Sequence, residues 1–124
     1  MRKILVVDDL DEIRELLRKL LESKGHQVVE AESGSQAIEL ALGERLDLIL
    51  MDLFMPKMDG FTALKRIREI EELKGVPVIA VSAYGELGIE EHLRAQSQAA
   101  GFTRYLPKPF KPEQLAALLQ DLLK

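Results

Sequence analysis

The chain has 124 residues, 47% of them hydrophobic, and 17 Lys+Arg against 21 Asp+Glu leave a formal net charge of -4. That length suits one domain with a real core, the apolar content excludes a disordered chain, and the mild acidity offers no general attraction for nucleic acid. No cysteine is present, which excludes disulfides and thiolate metal sites and points to a reducing cytoplasm.

The N-terminus, Met1-Arg2-Lys3, runs straight into Ile4–Val7 with no long apolar stretch and no cleavage site, so a signal peptide is not expected there. Ile4–Val7 is rich in β-branched residues and bounded by Asp8-Asp9, the pattern of a strand buried on both faces. Ile13, Leu16, Leu17, Leu20 and Leu21 then recur at helical spacing, and Lys24-Gly25 closes that helix. Gln27–Ala31 is the second predicted strand, followed by a Ser-Gly-Ser turn and a short helix through Ala37, Ile38, Ala41 and Leu42. Leu48–Met51 is a third buried strand, and past the Met55–Gly60 loop Phe61, Leu64 and Ile67 mark another helix. Pro77–Val81 is the fourth, since proline is tolerated at a strand's first residue. A polar helical segment over Glu86–Ala99, a weaker strand over Thr103–Leu106 and a last helix opened by Pro112 complete the series. No apolar run approaches the ~18 residues of a membrane span, and the strand-like runs Ile4–Val7, Leu48–Met51 and Val78–Val81 hold four residues each, so no membrane insertion is expected. Five strands alternating with five helices imply an α/β, doubly wound parallel sheet with helices on both faces, forming one domain over residues 1–124.

In such a sheet the carboxyl ends of all strands share one edge, where ligands bind. Asp8-Asp9 follow the first strand, Asp52 the third, Ser82 the fourth and Lys108 the fifth, so the topology brings them to one rim across gaps of 43, 30 and 26 residues. Clustered carboxylates repel unless a cation neutralises them, and a hard divalent ion such as Mg²⁺ is the natural occupant. A carboxylate is also a nucleophile toward phosphorus, with the lysine and the hydroxyl placed to serve the phosphoryl oxygens. Singly, each residue has a plainer reading. Asp8-Asp9 suit a solvated strand end or an N-cap, Asp52 a turn, Ser82 a helix or turn initiator, and Lys108 a surface charge beside a turn proline. Their convergence on one reaction favours the phosphoryl-transfer reading.

Asp8-Asp9, Met51-Asp52, the Met55-Pro56-Lys57-Met58-Asp59-Gly60 loop, Ser82-Ala83 and Lys108-Pro109-Phe110 together resemble the receiver domain of bacterial response regulators, with its CheY-like fold. The resemblance spans essentially the whole chain. It implies a five-stranded sheet of order 2-1-3-4-5, with Asp52 as phosphoacceptor from a histidine kinase or a histidine phosphotransfer protein. It implies that Asp9, Asp52 and the backbone carbonyl of Phe54 bind Mg²⁺ with Asp8 nearby, and that Ser82 and Lys108 contact the phosphoryl oxygens. Ser82 and Tyr105 match the family's switch pair, and the Lys108–Pro109 bond is expected to be cis. The implied output is a phosphorylation-dependent change on the fourth-helix, fifth-strand and fifth-helix face, read by a protein target, with the chain a monomer or a phosphorylation-dependent dimer. A receiver consumes nearly all of the length, so a stand-alone cytoplasmic module without DNA-binding domain is the expectation.

The sequence also departs from the family. Phe54 and Tyr84 occupy positions that tune phosphoryl lifetime, and both are bulky without an acid or amide to orient water, so a long-lived aspartyl phosphate is expected. About four extra residues lie between Ser82 and Lys108, roughly one helical turn within 85–100. Thr103-Arg104 replaces a small or acidic pair. His26 and His92 read as surface residues, and Lys65, Arg66 and Arg68 as a solvated helix face. The rival functions are an aspartyl-nucleophile phosphohydrolase or phosphotransferase, for which the chain has no room for a cap, and a flavin-phosphate binder, which the Asp8-Asp9 pair would repel.

Overall fold

Alternation of inward positions along each strand explains how one sheet carries two cores. In the computed structural model, which describes residues 2–82 and 89–123, the strands are β1 (Lys3–Val7), β2 (Gln27–Ala31), β3 (Leu48–Asp52), β4 (Val78–Ser82) and β5 (Arg104–Pro107). The helices are α1 (Asp11–Ser23), α2 (Gly34–Gly43), α3 (Gly60–Arg68), α4 (Ile89–Ala100) and α5 (Pro112–Leu122). All neighbouring strands pair in parallel, in the order β2-β1-β3-β4-β5. Ile4 and Val6 of β1, Leu48 and Leu50 of β3, and Ile79 and Val81 of β4 join Leu17 and Leu21 of α1 and Leu115 and Leu119 of α5 in one core. The intervening Leu5, Val7, Ile49, Met51, Val78 and Ala80 face Ala37 and Ala41 of α2, Ala63, Leu64 and Ile67 of α3, and Leu93 of α4. Fully burying each large aliphatic side chain contributes about 1.5–3 kcal/mol.

The predicted elements are all present, with strand ends shifted by about a residue. A short 3-10 turn, Glu71–Leu73, was not expected, since three residues leave too little periodicity to read. The expected start of the fourth helix, together with Ala83 and Tyr84, lies outside the described residues. Two leucines of the helical stripes do not enter the core: Leu16 is 51% exposed and Leu42 is 64% exposed. α1 and α2 therefore bury narrower faces on the sheet than their sequence stripes allow.

Local chemistry sets the helix ends near the carboxyl edge. Ser33 caps α2 by accepting from the Gln36 N–H at 3.1 Å, and Asp59 caps α3 by accepting from the Thr62 N–H at 2.8 Å. The approach to α3 is a three-residue turn at Lys57, whose φ is +69°, with the Met58 N–H donating to the Pro56 carbonyl at 2.7 Å. Gly60 then packs so closely that a Cβ there would lie 2.5 Å from the Asp52 carbonyl oxygen and 2.9 Å from the Leu53 Cα.

Arg68 corrects the reading of a solvated helix face. Lys65 and Arg66 are exposed, whereas Arg68 is half-buried, and its Nη1 donates to the carbonyls of Leu73, Lys74 and Val76 at 3.0, 3.2 and 2.7 Å. Its Nη2 reaches the Gly101 carbonyl at 3.5 Å, so one guanidinium ties the loop before β4 to the loop before β5. Burial holds its pKa below the ordinary arginine value. Arg68→Ala is expected to cost about 1–3 kcal/mol by stranding these carbonyls, with Arg68→Lys recovering only part because an ammonium lacks the planar fork. Chemical denaturation of the three proteins checks this; equal midpoints contradict it.

Candidate functional site

The register of the sheet places the reactive residues side by side. Val7 pairs with Met51, Asp52 with Val81, and Ser82 with Pro107, so Asp8, Asp52, Ser82 and Lys108 emerge at successive strand ends of one edge. Asp8 is 1% exposed, Asp52 6% and Ser82 0%, which makes them buried polar residues in an otherwise apolar layer. Carboxylate oxygens of Asp8, Asp9 and Asp52 all lie within 4.8 Å of one another.

Lys108 supplies the compensating charge. Its Nζ lies 2.7 Å from Asp8 Oδ2 and 3.8 Å from Asp52 Oδ1, with the side chain 12% exposed. Its N–H donates to the Ser82 carbonyl at 2.6 Å, which ties the end of β5 to the end of β4. The following Lys108–Pro109 bond is cis, as expected. Asp8 is held further by the Leu10 N–H, which donates to its Oδ1 at 2.9 Å, and by its own N–H donating to the Ala31 carbonyl at 3.1 Å.

Asp52 is less well satisfied. Its Oδ1 accepts a long 3.4 Å hydrogen bond from the Phe54 N–H. Burial pushes its pKa up from 3.8 to about 6; Lys108 and the Phe54 N–H oppose that shift, while Asp8 and Asp9 add to it. A carboxylate held this way is poorly neutralised by the protein alone. Three hard oxygen donors at this spacing fit a Mg²⁺ ion, which takes one or two carboxylates and keeps several waters.

Phe54, two residues beyond Asp52, is 43% exposed. Tyr105 is buried, 6% exposed, in the core on the α2–α4 side, and its hydroxyl has no hydrogen-bond partner among the described residues. The Arg94 guanidinium of α4 stacks over the Tyr105 ring at 4.8 Å. Arg104, unassigned from sequence, pairs with Asp121 of α5 at 2.7 Å. His92 is exposed as expected, but His26 is half-buried, its Nδ1 unpartnered among the described residues, and burial lowers its pKa.

One neighbour of the site was not anticipated. Arg14 of α1 donates from Nη1 to the Asp8 carbonyl at 2.6 Å and also pairs with Asp11. Its sequence signal was faint: an arginine off the apolar stripe of the first helix, one turn past an aspartate.

The chain is similar to known proteins along nearly its whole length. A family model described as the response regulator receiver domain matches residues 4–120. The chain is 43% identical to the transcriptional regulatory protein ResD of Bacillus subtilis, over 98% of this chain and 48% of ResD. It is 40% identical to the transcriptional regulatory protein CpxR of Escherichia coli, over 100% of this chain and 50% of CpxR. The chain thus spans about half the length of these relatives. Among solved structures, the receiver domain of a Pseudomonas aeruginosa sensor histidine kinase, with a magnesium ion coordinated in its active-site cleft, superposes with a TM-score of 0.87. It shares 35% identity, covering 98% of this chain and 97% of that one.

Proposed function

The chain belongs to the response regulator receiver domain family of two-component signalling, and from that premise we propose that Asp52 accepts a phosphoryl group from a phosphohistidine donor. The donor is a histidine kinase or a histidine phosphotransfer protein, and the setting is the cytoplasm. The observation that carries the reading is the Lys108 ammonium, 2.7 Å from Asp8 and 3.8 Å from Asp52 on a rim where three carboxylates converge.

In the transfer, an Asp52 carboxylate oxygen attacks phosphorus as the P–N bond of the donor breaks, and the imidazole leaves with the electron pair and takes up a proton. Lys108 moves its charge from the Asp8–Asp52 pair toward the phosphoryl oxygens, and the Ser82 hydroxyl donates to another of them. Asp8, Asp9, Asp52 and the Phe54 carbonyl would hold a Mg²⁺ ion, which when bound supplies the charge that offsets the phosphoryl oxygens. An apolar groove lined by Leu10, Ile13, Leu16, Pro109 and Phe110 adjoins Lys108, and the exposed Leu10 and Leu16 there suit the apolar face of a donor helix. Ser82 and Tyr105 couple the phosphoryl group to the face formed by α4, β5 and α5, which engages a downstream protein.

Incubation with acetyl phosphate and Mg²⁺, followed by intact mass, tests the proposal. One phosphoryl adduct is expected, absent from Asp52→Asn and from protein in EDTA. Steady-state turnover of a soluble phosphoester would favour the hydrolase alternative. Because Phe54 gives no group to orient water, Phe54→Asn is expected to shorten the adduct's lifetime severalfold; an unchanged decay rate counts against that role.

A further inference from the structure

Asp9 is the one carboxylate of the cluster that no described side chain or backbone N–H holds. Asp8 is fixed by Leu10, Ala31 and Lys108, and Asp52 by Phe54 and Lys108, but among the described residues none donates a hydrogen bond or forms an ion pair to the Asp9 carboxylate. Its aim into the site therefore depends on its backbone. The carbonyl oxygen of Asp8 belongs to the peptide plane that joins Asp8 to Asp9, and that oxygen accepts from Arg14 Nη1 at 2.6 Å. Rotating the plane would swing the Asp9 Cα–Cβ bond away from Asp8 and Asp52.

The guanidinium is itself held from three directions. Nη1 reaches the Asp8 carbonyl, Nη2 pairs with Asp11 on the same helix, and Nε lies 3.5 Å from Glu30 Oε1 of β2. Its side chain is 11% exposed, and Glu30 is shared with Arg18, whose Nε lies 3.2 Å from Oε2. Only a planar fork with several diverging donors makes these contacts together; an ammonium on a flexible stem does not. We infer that Arg14 is a positioning residue for the metal site, orienting Asp9 through the Asp8–Asp9 peptide, with Glu30 as the anchor that orients Arg14. The inference rests on the metal reading proposed above.

Calorimetric titration of Mg²⁺ into the metal-free protein tests it without reference to phosphorylation. Arg14→Gln is expected to weaken Mg²⁺ binding about tenfold, in the range of partners that orient metal ligands. Arg14→Lys should be only partly rescued, and Glu30→Gln should weaken binding to a smaller degree. The decisive comparison is a double-mutant cycle with Asp9→Asn. If Arg14 acts through Asp9, adding Arg14→Gln to Asp9→Asn produces no further loss. Wild-type affinity in Arg14→Gln, or an equal tenfold loss with and without the Asp9 carboxylate, overturns the inference. If Arg14→Gln does not fold, as judged by circular dichroism, Arg14→Lys and Glu30→Gln decide, and wild-type affinity in both overturns it. A wild-type protein that binds no Mg²⁺ overturns the metal reading itself.

Discussion

Gly60→Ala is expected to destabilise the protein by about 3 kcal/mol and to slow phosphoryl uptake roughly 100-fold. The new Cβ would sit 2.5 Å from the Asp52 carbonyl oxygen, 2.9 Å from the Leu53 Cα and 3.2 Å from the Asp52 carbonyl carbon. All three are backbone atoms at the end of a central strand, so no side chain can rotate away. Either α3 lifts from the sheet, breaking the 2.8 Å bond from the Gly60 N–H to the Leu53 carbonyl, or Asp52 shifts. A shift of order 1 Å in the nucleophile is enough to cost two decades in rate. Gly43→Ala is the matched control, because a Cβ there meets nothing within 4 Å. Thermal melts and the initial rate of adduct formation read both quantities. A Gly60→Ala protein with wild-type melting and wild-type rate would show that this close approach constrains nothing.

Asp52→Asn is expected to make the metal-free protein more stable at neutral pH, by about 2–3 kcal/mol, although it removes the phosphoacceptor. The folded protein holds the Asp52 pKa near 6 against 3.8 for an ordinary aspartate, mainly because the carboxylate is buried. An acid whose pKa is raised by folding binds its proton more tightly in the native state. Its favourable contribution is complete below about 3.8 and is lost as pH rises through about 6, where the buried charge must be carried. The amide carries no charge, so the variant's advantage is full above pH 6 and fades as the pH falls toward 4. Magnesium should raise the wild-type melting temperature and narrow the gap. Melting curves in EDTA from pH 4 to 8 check this; a gap that does not depend on pH, or one of opposite sign, contradicts it.

The rim was legible because parallel topology is a strong constraint. Once Ile4–Val7, Leu48–Met51 and Val78–Val81 read as buried strands, their next residues had to share one edge, and the observed register places them there. The helices were legible as periods but not as faces. Leu16 and Leu42 fit the stripes of α1 and α2 yet are exposed, since the sheet covers a narrower arc than the sequence offers. The roles of Arg14, Arg68 and Arg94 were not legible for a shared reason. A surface-type residue on a helix gives no sequence signal of the carbonyl or ring that receives it, and those acceptors come from loops and strands brought together only by folding. Arg68 shows the consequence most plainly, serving four carbonyls from the loops before β4 and β5 while reading as a solvated charge.

The identity of the nucleophile is the point on which the rest depends. Protein phosphorylated with acetyl phosphate and Mg²⁺ can be reduced with borohydride, which converts an aspartyl phosphate to homoserine, and then mapped by peptide mass spectrometry. Homoserine at position 52 alone is the expected result. Homoserine at position 8 or 9 instead, or a phosphoryl adduct that survives in Asp52→Asn, would contradict the assignment of Asp52 and of the roles given to Lys108 and Ser82 around it.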